Sequence, residues 1–184
     1  MLTGVTASTV YQLGAGVLCT SYTSGGGGTI TGIIGATRGG GSFAAVPTIR
    51  SIPADGIPDN VVGWKTIDFW TATLSATLIE TTEAAIKLAI AGASASTSAS
   101  VTTITPVQGI VASGAHAELY WVGDTQDGKK IAIKMNKALN NNGFNLTFAD
   151  RGEGTYAVEL IAHYEVSSLS TPPFSVIIDK SSVA

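Results

Sequence analysis

Charge is scarce in this chain of 184 residues: Asp, Glu, Lys and Arg together make up 12%, about half the usual share. The formal net charge is −3, so no basic surplus is available to grip phosphates, and tight nucleic-acid binding is not expected. A single cysteine, Cys19, rules out an internal disulfide and fits maturation in a reducing compartment. Long apolar runs are missing too. The best stretch, Ala84 to Ala93, is interrupted by Lys87 and falls well short of the ~20 residues a membrane helix needs. Met1 to Thr37 holds no Lys or Arg, so no charged leader region is read there and no membrane insertion is expected. A membrane β-barrel is not removed by these points, because its signal is alternation.

The motifs of common chemistries are also lacking. The run Gly25-Gly26-Gly27-Gly28 has no Gly-Lys-Ser/Thr to complete a phosphate loop. Gly14-Ala15-Gly16 starts like a dinucleotide fingerprint, but Cys19 stands where the third glycine belongs. The two histidines, His116 and His163, are far apart in sequence and have no Cys or second His at ligand spacing. Asp124 to Gly128 has the wrong acid spacing for a calcium loop and reads as a hairpin turn at Asp127-Gly128. No catalytic, cofactor or metal residue is therefore nominated, and an enzyme is not expected.

What the chain has is glycine, hydroxyl side chains and alternation. In Lys65 to Ile79, with Trp64 just before it, Trp64, Trp70, Ala72, Leu74, Ala76 and Leu78 fall on one side, and Thr71, Thr73, Ser75 and Thr77 on the other. Successive strand side chains point to opposite faces, so this is a strand with an apolar and a hydroxyl face. It runs into the only helical pattern. Thr81 or Thr82 can cap it, Glu83 suits its first turn, Ala85, Ile86, Ala89 and Ile90 form its apolar stripe, and Gly92 stops it. The Ile86 and Ile90 face is expected to pack on the sheet. Further strands are predicted over 16–23, 29–37, 43–51, 115–123, 129–135, 144–148, 155–166 and 174–178, with 93–105 a loop or weak strand. In 155–166, Glu159, His163 and Glu165 lie opposite Tyr156, Val158 and Leu160. Pro47 marks its strand as an edge or a bulge, and Asp55-Gly56 predicts a tight turn before Asp59. The pattern predicts a mainly β fold: a β-sandwich or partial barrel of two packed antiparallel sheets, with one flanking α-helix over about residues 81–91. Residues 1–15 are read as a flexible N-terminal arm and 16–180 as one domain.

Thin charge, apolar balance and long alternating strands suit a subunit that hides edges and patches in an assembly. In order along the chain come Gly35-Ala36-Thr37-Arg38-Gly39-Gly40, Pro47-x-Ile49-Arg50, Asp55-Gly56, Lys65 and Leu78-x-Glu80. Leu119-Tyr120-Trp121-Val122-Gly123, Lys137-Ala138-Leu139, Gly143-Phe144 and Ala162-His163-Tyr164 follow. Over roughly residues 14–178 this order resembles the major tail tube proteins of long, non-contractile bacteriophage tails. The specificity lies in the order, since no single motif is diagnostic. The resemblance implies a sandwich with one helix that forms homohexameric rings, stacked into a virion tube assembled in the bacterial host cytoplasm. Genomic double-stranded DNA would pass through it without specific binding. The implied partners are further copies of the chain and the tail terminator, tape measure and tail tip proteins. On this reading Thr71, Thr73, Ser75, Thr77, Glu159, His163 and Glu165 are candidate lumen residues. Gly25, Gly26, Gly27, Gly28, Asp55, Gly56 and Asp59 are candidate contacts between rings or subunits. Two other readings stand beside it: a monomeric β-sandwich binding module of a virion or cell surface, and the inner tube of a contractile tail or phage-derived injection device.

Overall fold

A computed structural model describes residues 12–126 and 128–179. Residues 1–11 of the expected arm, Asp127 of the expected turn, and Lys180 lie outside the described residues. The strands are β1 (Gln12–Thr23), β2 (Thr29–Gly35), β3 (Thr37–Ser51), β4 (Lys65–Leu78), β5 (Ser94–Ser98), β6 (Val101–Thr105), β7 (Ala117–Thr125), β8 (Lys130–Asn140), β9 (Leu146–Thr147), β10 (Thr155–Ala162) and β11 (Phe174–Ile178). One helix, α1 (Glu83–Ala89), follows β4, and short 3₁₀ turns occupy Ser113–Ala115 and Val166–Ser168. The chain is thus mainly β with one flanking helix. Gln12 to Ala15, expected in the arm, are strand: Gln12 and Leu13 stand in register with Thr125 and Asp124 of β7.

The large sheet runs β2-β1-β7-β8-β10-β4-β3, with β11 added on β8 and β9 on β10, while β5 and β6 form a separate two-stranded sheet. Every pairing is antiparallel. Leu18, Leu119 and Trp121 from one half of the large sheet share a buried cluster with Leu74, Leu78, Val158 and Leu160 from the other. One face can enclose a common core only if the sheet curls over on itself. The curl brings β3 back to the start: a Cβ on Gly40 would lie 3.3 Å from the Ala15 carbonyl oxygen, and one on Gly41 would lie 2.8 Å from the ring of Trp121. It stops short of a closed barrel, because among the described residues β2 and β3 each have a neighbour on one side only. Pro47 sits in β3, on an edge that needs no donor from it.

Gly41 is the closest approach of the curl, and its substitution tests that geometry. Trp121 is 5% exposed, so its ring has little room to move. Gly41→Ala is expected to lower stability by about 1–3 kcal/mol, the usual cost of overpacking. An unshifted urea midpoint would refute the close approach.

α1 is shorter than predicted and packs differently. Thr82 is the N-cap: its hydroxyl accepts from the Ala85 amide at 3.2 Å and donates to the Ile34 carbonyl at 3.0 Å. The fully buried helical residues are Ala85 and Ala89, with Leu88 packed beside them. Ile86 and Ile90, the expected packing face, are half-buried. Two alanines let one short turn sit close to the strands, where isoleucines would hold it away. Three strand expectations also change. Residues 93–105 form the β5–β6 hairpin, the strand expected at 144–148 reduces to Leu146–Thr147, and β10 ends at Ala162, before His163.

Candidate assembly surface

Residues directly opposite in an antiparallel pair share a face. On β4, Ala72, Leu74, Ala76 and Leu78 are buried, so Thr71, Thr73, Ser75 and Thr77 project from the outer side. Register places Glu159 and Ile161 of β10 beside Ser75 and Thr73, and Ser42, Ala44 and Val46 of β3 beside Ser75, Thr73 and Thr71. The structure thus gathers Thr71, Thr73, Ser75, Thr77 and Glu159 on one continuous hydroxyl-rich face, in which Glu159 is the only ionisable group of those named.

That face continues toward the tip of the β3–β4 hairpin and changes character. Thr48 stands opposite Phe69, and Ile49 opposite Ile67. Alternation turns Ile49 away from Val46 and Thr48. The register shift between Thr48 and Ile49 passes over Asp68, so the extra residue lies in β4 and Ile67 turns away from Phe69. Val46 (61% exposed) and Phe69 (49%) therefore continue the hydroxyl face, and Ile49 (53%) and Ile67 (49%) form an exposed apolar pair on the other side of the ribbon. The ribbon also carries the Arg50–Asp68 ion pair at 3.1 Å, and Trp70 packs edge-on against Phe174.

The candidate loops divide. In the hairpin connection Gly56 has φ +77° and the Ile57 amide donates to the Ala54 carbonyl at 3.2 Å, the expected turn. Asp59 accepts from the Ser51 hydroxyl at 2.8 Å and the Asn60 amide at 3.3 Å. The first of these bonds, with help from the second, holds its carboxyl below the usual range. The Gly25–Gly28 turn is tethered. All four glycines have positive φ, the Gly28 amide reaches the Gly25 carbonyl at 3.0 Å, and the Gly25 amide donates to Asp179 at 2.9 Å. Asp179 is buried and also accepts from the Tyr22 hydroxyl at 3.4 Å. A Cβ on Gly28 would lie 2.5 Å from that hydroxyl.

His163 and Glu165 lie past the end of β10 and belong to a different cluster. Glu165 pairs with Lys137 at 3.0 Å, and His163 gives its Nδ1–H to the Lys137 carbonyl at 3.0 Å. The His163 ring lies 5.0 Å from that of His116, a meeting that sequence separation concealed. Both Glu165 and His163 line a shallow pocket with Glu118 and Tyr164. Glu118 bonds Lys134 at 2.7 Å and the Tyr120 hydroxyl at 2.8 Å. Burial pushes the Glu118 carboxyl up, but those two bonds and the charges of Lys134 and Lys137 outweigh it and hold the group below its ordinary range. The bond to Glu118 raises Lys134. Burial first, and then Glu118, raises Tyr120.

A depressed carboxylate adds stability above its unfolded value and loses it as pH falls through the folded one; a raised lysine adds stability below its unfolded value and loses it as pH rises through the folded one. The cluster therefore supports the fold across the neutral range. Glu118 is half-exposed, so the effect is modest. Thermal midpoints of wild type and Glu118→Gln should differ most near neutrality and converge below about pH 4. A gap of constant size down to acid pH would refute the pairing.

Among the described residues no group of three or more His, Cys, Asp or Glu side chains is placed to hold a metal ion, and no helix is long and apolar enough to cross a membrane. No protein-family model and no curated protein matches this chain.

Proposed function

We propose that this chain is a structural subunit that assembles with copies of itself into stacked hexameric rings, forming a phage tail tube. One observation carries the reading: beyond the hydroxyl face over Thr71–Thr77, the β3–β4 ribbon exposes Val46 and Phe69 on one side and the Ile49–Ile67 pair on the other. Exposed apolar groups on a projecting two-stranded ribbon are costly in water and become an asset when a neighbour covers them. The edges of β2 and β3, unpaired among the described residues, support the same reading, since edge strands pair readily with another chain. The hydroxyl face suits a conduit wall. It offers polar groups for water and no row of cations that would hold a passing phosphate backbone. Double-stranded DNA is then transient cargo, and the tail terminator, tape measure and tail tip proteins are the partners at the ends and core of the tube.

The test is direct. The purified full chain, examined by gel filtration and negative-stain microscopy across a range of concentrations, should form six-fold rings or hollow tubes. A compact monomer at every concentration would overturn the proposal and favour a binding module.

A further inference from the structure

We propose that His116 and His163 form a two-imidazole site for a borderline-soft divalent cation, of the class of Zn²⁺, Ni²⁺ or Cu²⁺. The inference is independent of the tube assignment. His116 follows the Ser113–Ala115 turn, and its amide donates to the Ser113 carbonyl at 3.2 Å. His163 follows β10, and its amide donates to the Asn136 carbonyl at 3.3 Å. Both rings are thus rooted on backbone that is itself held.

The side chains are oriented alike. Nδ1 of His116 lies 3.2 Å from the Ala112 carbonyl oxygen, and Nδ1 of His163 lies 3.0 Å from that of Lys137. A carbonyl can only accept, so each Nδ1 carries the proton and each Nε2 is left with its lone pair. This is the arrangement that metal-ligating histidines adopt: the far ring nitrogen is tied to a carbonyl, which fixes the tautomer and raises ligand basicity.

The spacing fits as well. The ring centres are 5.0 Å apart and the planes cross at 77°. Metal–nitrogen bonds of about 2.0–2.1 Å at a near-tetrahedral angle place two imidazole centres about 5 Å apart. Edge-to-face packing alone explains the distance, but it does not call for both Nδ1 atoms to be committed to carbonyls.

Both rings are half-buried, and His163 borders the open pocket of about 240 Å³, which gives a cation access. The carboxylates of that pocket are engaged, Glu118 with Lys134 and Glu165 with Lys137. Water therefore fills the remaining positions. Imidazole pairs select Zn²⁺, Cu²⁺ and Ni²⁺ over Mg²⁺ and Ca²⁺. A bound ion would fasten the segment before β7 to the end of β10.

Titration of the full chain with Zn²⁺ by calorimetry should show one ion bound per chain. The thermal midpoint should rise with Zn²⁺ concentration, as for any ligand of the native state. His116→Ala and His163→Ala should each weaken binding by about tenfold or more and remove the midpoint shift, while Mg²⁺ should produce neither effect. Because a variant could fail to fold, the wild-type chain loaded with one equivalent of Cu²⁺ supplies a second readout: its electron paramagnetic resonance spectrum should show coupling to two nitrogens. Absence of saturable Zn²⁺ binding, unchanged affinity in either folded variant, or coupling to a single nitrogen would each overturn the proposal.

Discussion

Asn140→Leu is expected to lower the unfolding free energy by about 3 kcal/mol, read from urea unfolding. Asn140 is 1% exposed and all its bonding capacity is used. Its amide nitrogen donates to the Ala89 carbonyl at 2.5 Å and the Gly143 carbonyl at 3.1 Å. Its oxygen accepts from the Glu159 amide at 2.9 Å and the Asn142 amide at 3.3 Å. The Ala89 carbonyl belongs to the last turn of α1, where the helix offers no partner of its own. One side chain thus joins the helix end, the turn after β8, and β10. Leucine of similar volume keeps the packing and removes every bond, leaving four backbone groups short. Each buried, unsatisfied group costs about 1–3 kcal/mol, and water reaching the turn at Asn142 and Gly143 relieves part of that. Asn140→Asp should be worse, because its second oxygen would face two carbonyls with nothing to donate. A loss below about 1 kcal/mol in Asn140→Leu would show that the network carries little.

The β4 alternation made one part of this architecture readable from sequence. The buried series Ala72, Leu74, Ala76 and Leu78 follows from a period of two, and Thr71, Thr73, Ser75 and Thr77 had to take the other side. The same period carries that outer face on to Phe69. The side taken by Ile67 was not readable, because it depends on the extra residue in β4, Asp68, which no local residue type announces. The helix was recognisable from Thr82 and Gly92, but its buried face was misassigned: isoleucine looks like the core residue, whereas close approach selected Ala85 and Ala89. Asn140, Asp179 and the His116–His163 contact depend on partners distant in sequence. Each is set by how the sheet curls, and spacing along the chain carries no trace of that.

The double variant Ile67→Lys, Phe69→Lys is expected to fold with wild-type stability and to lose assembly. Ile67 and Phe69 are each 49% exposed and lie outside the buried clusters. Lysine can stand there with its charge in water and its stem along the ribbon. Surface changes of this kind shift stability by no more than about 0.5 kcal/mol each, so thermal midpoints should nearly coincide. Association is different. Covering the remaining exposed part of each side chain contributes about 1 kcal/mol at ~25 cal/mol per Å². Two lost in every contact remove about 2 kcal/mol, or about thirtyfold in each association constant. Burying two ammonium groups unpaired costs more still. A closed ring repeats the penalty at every contact, so rings and tubes should vanish from micrographs while the chain elutes as a folded monomer. Ile67→Leu, Phe69→Leu keeps the ribbon apolar and should still assemble. If the lysine variant forms tubes as abundantly as wild type, the ribbon's apolar residues are not an assembly contact, and the association must run through the β2 and β3 edges alone.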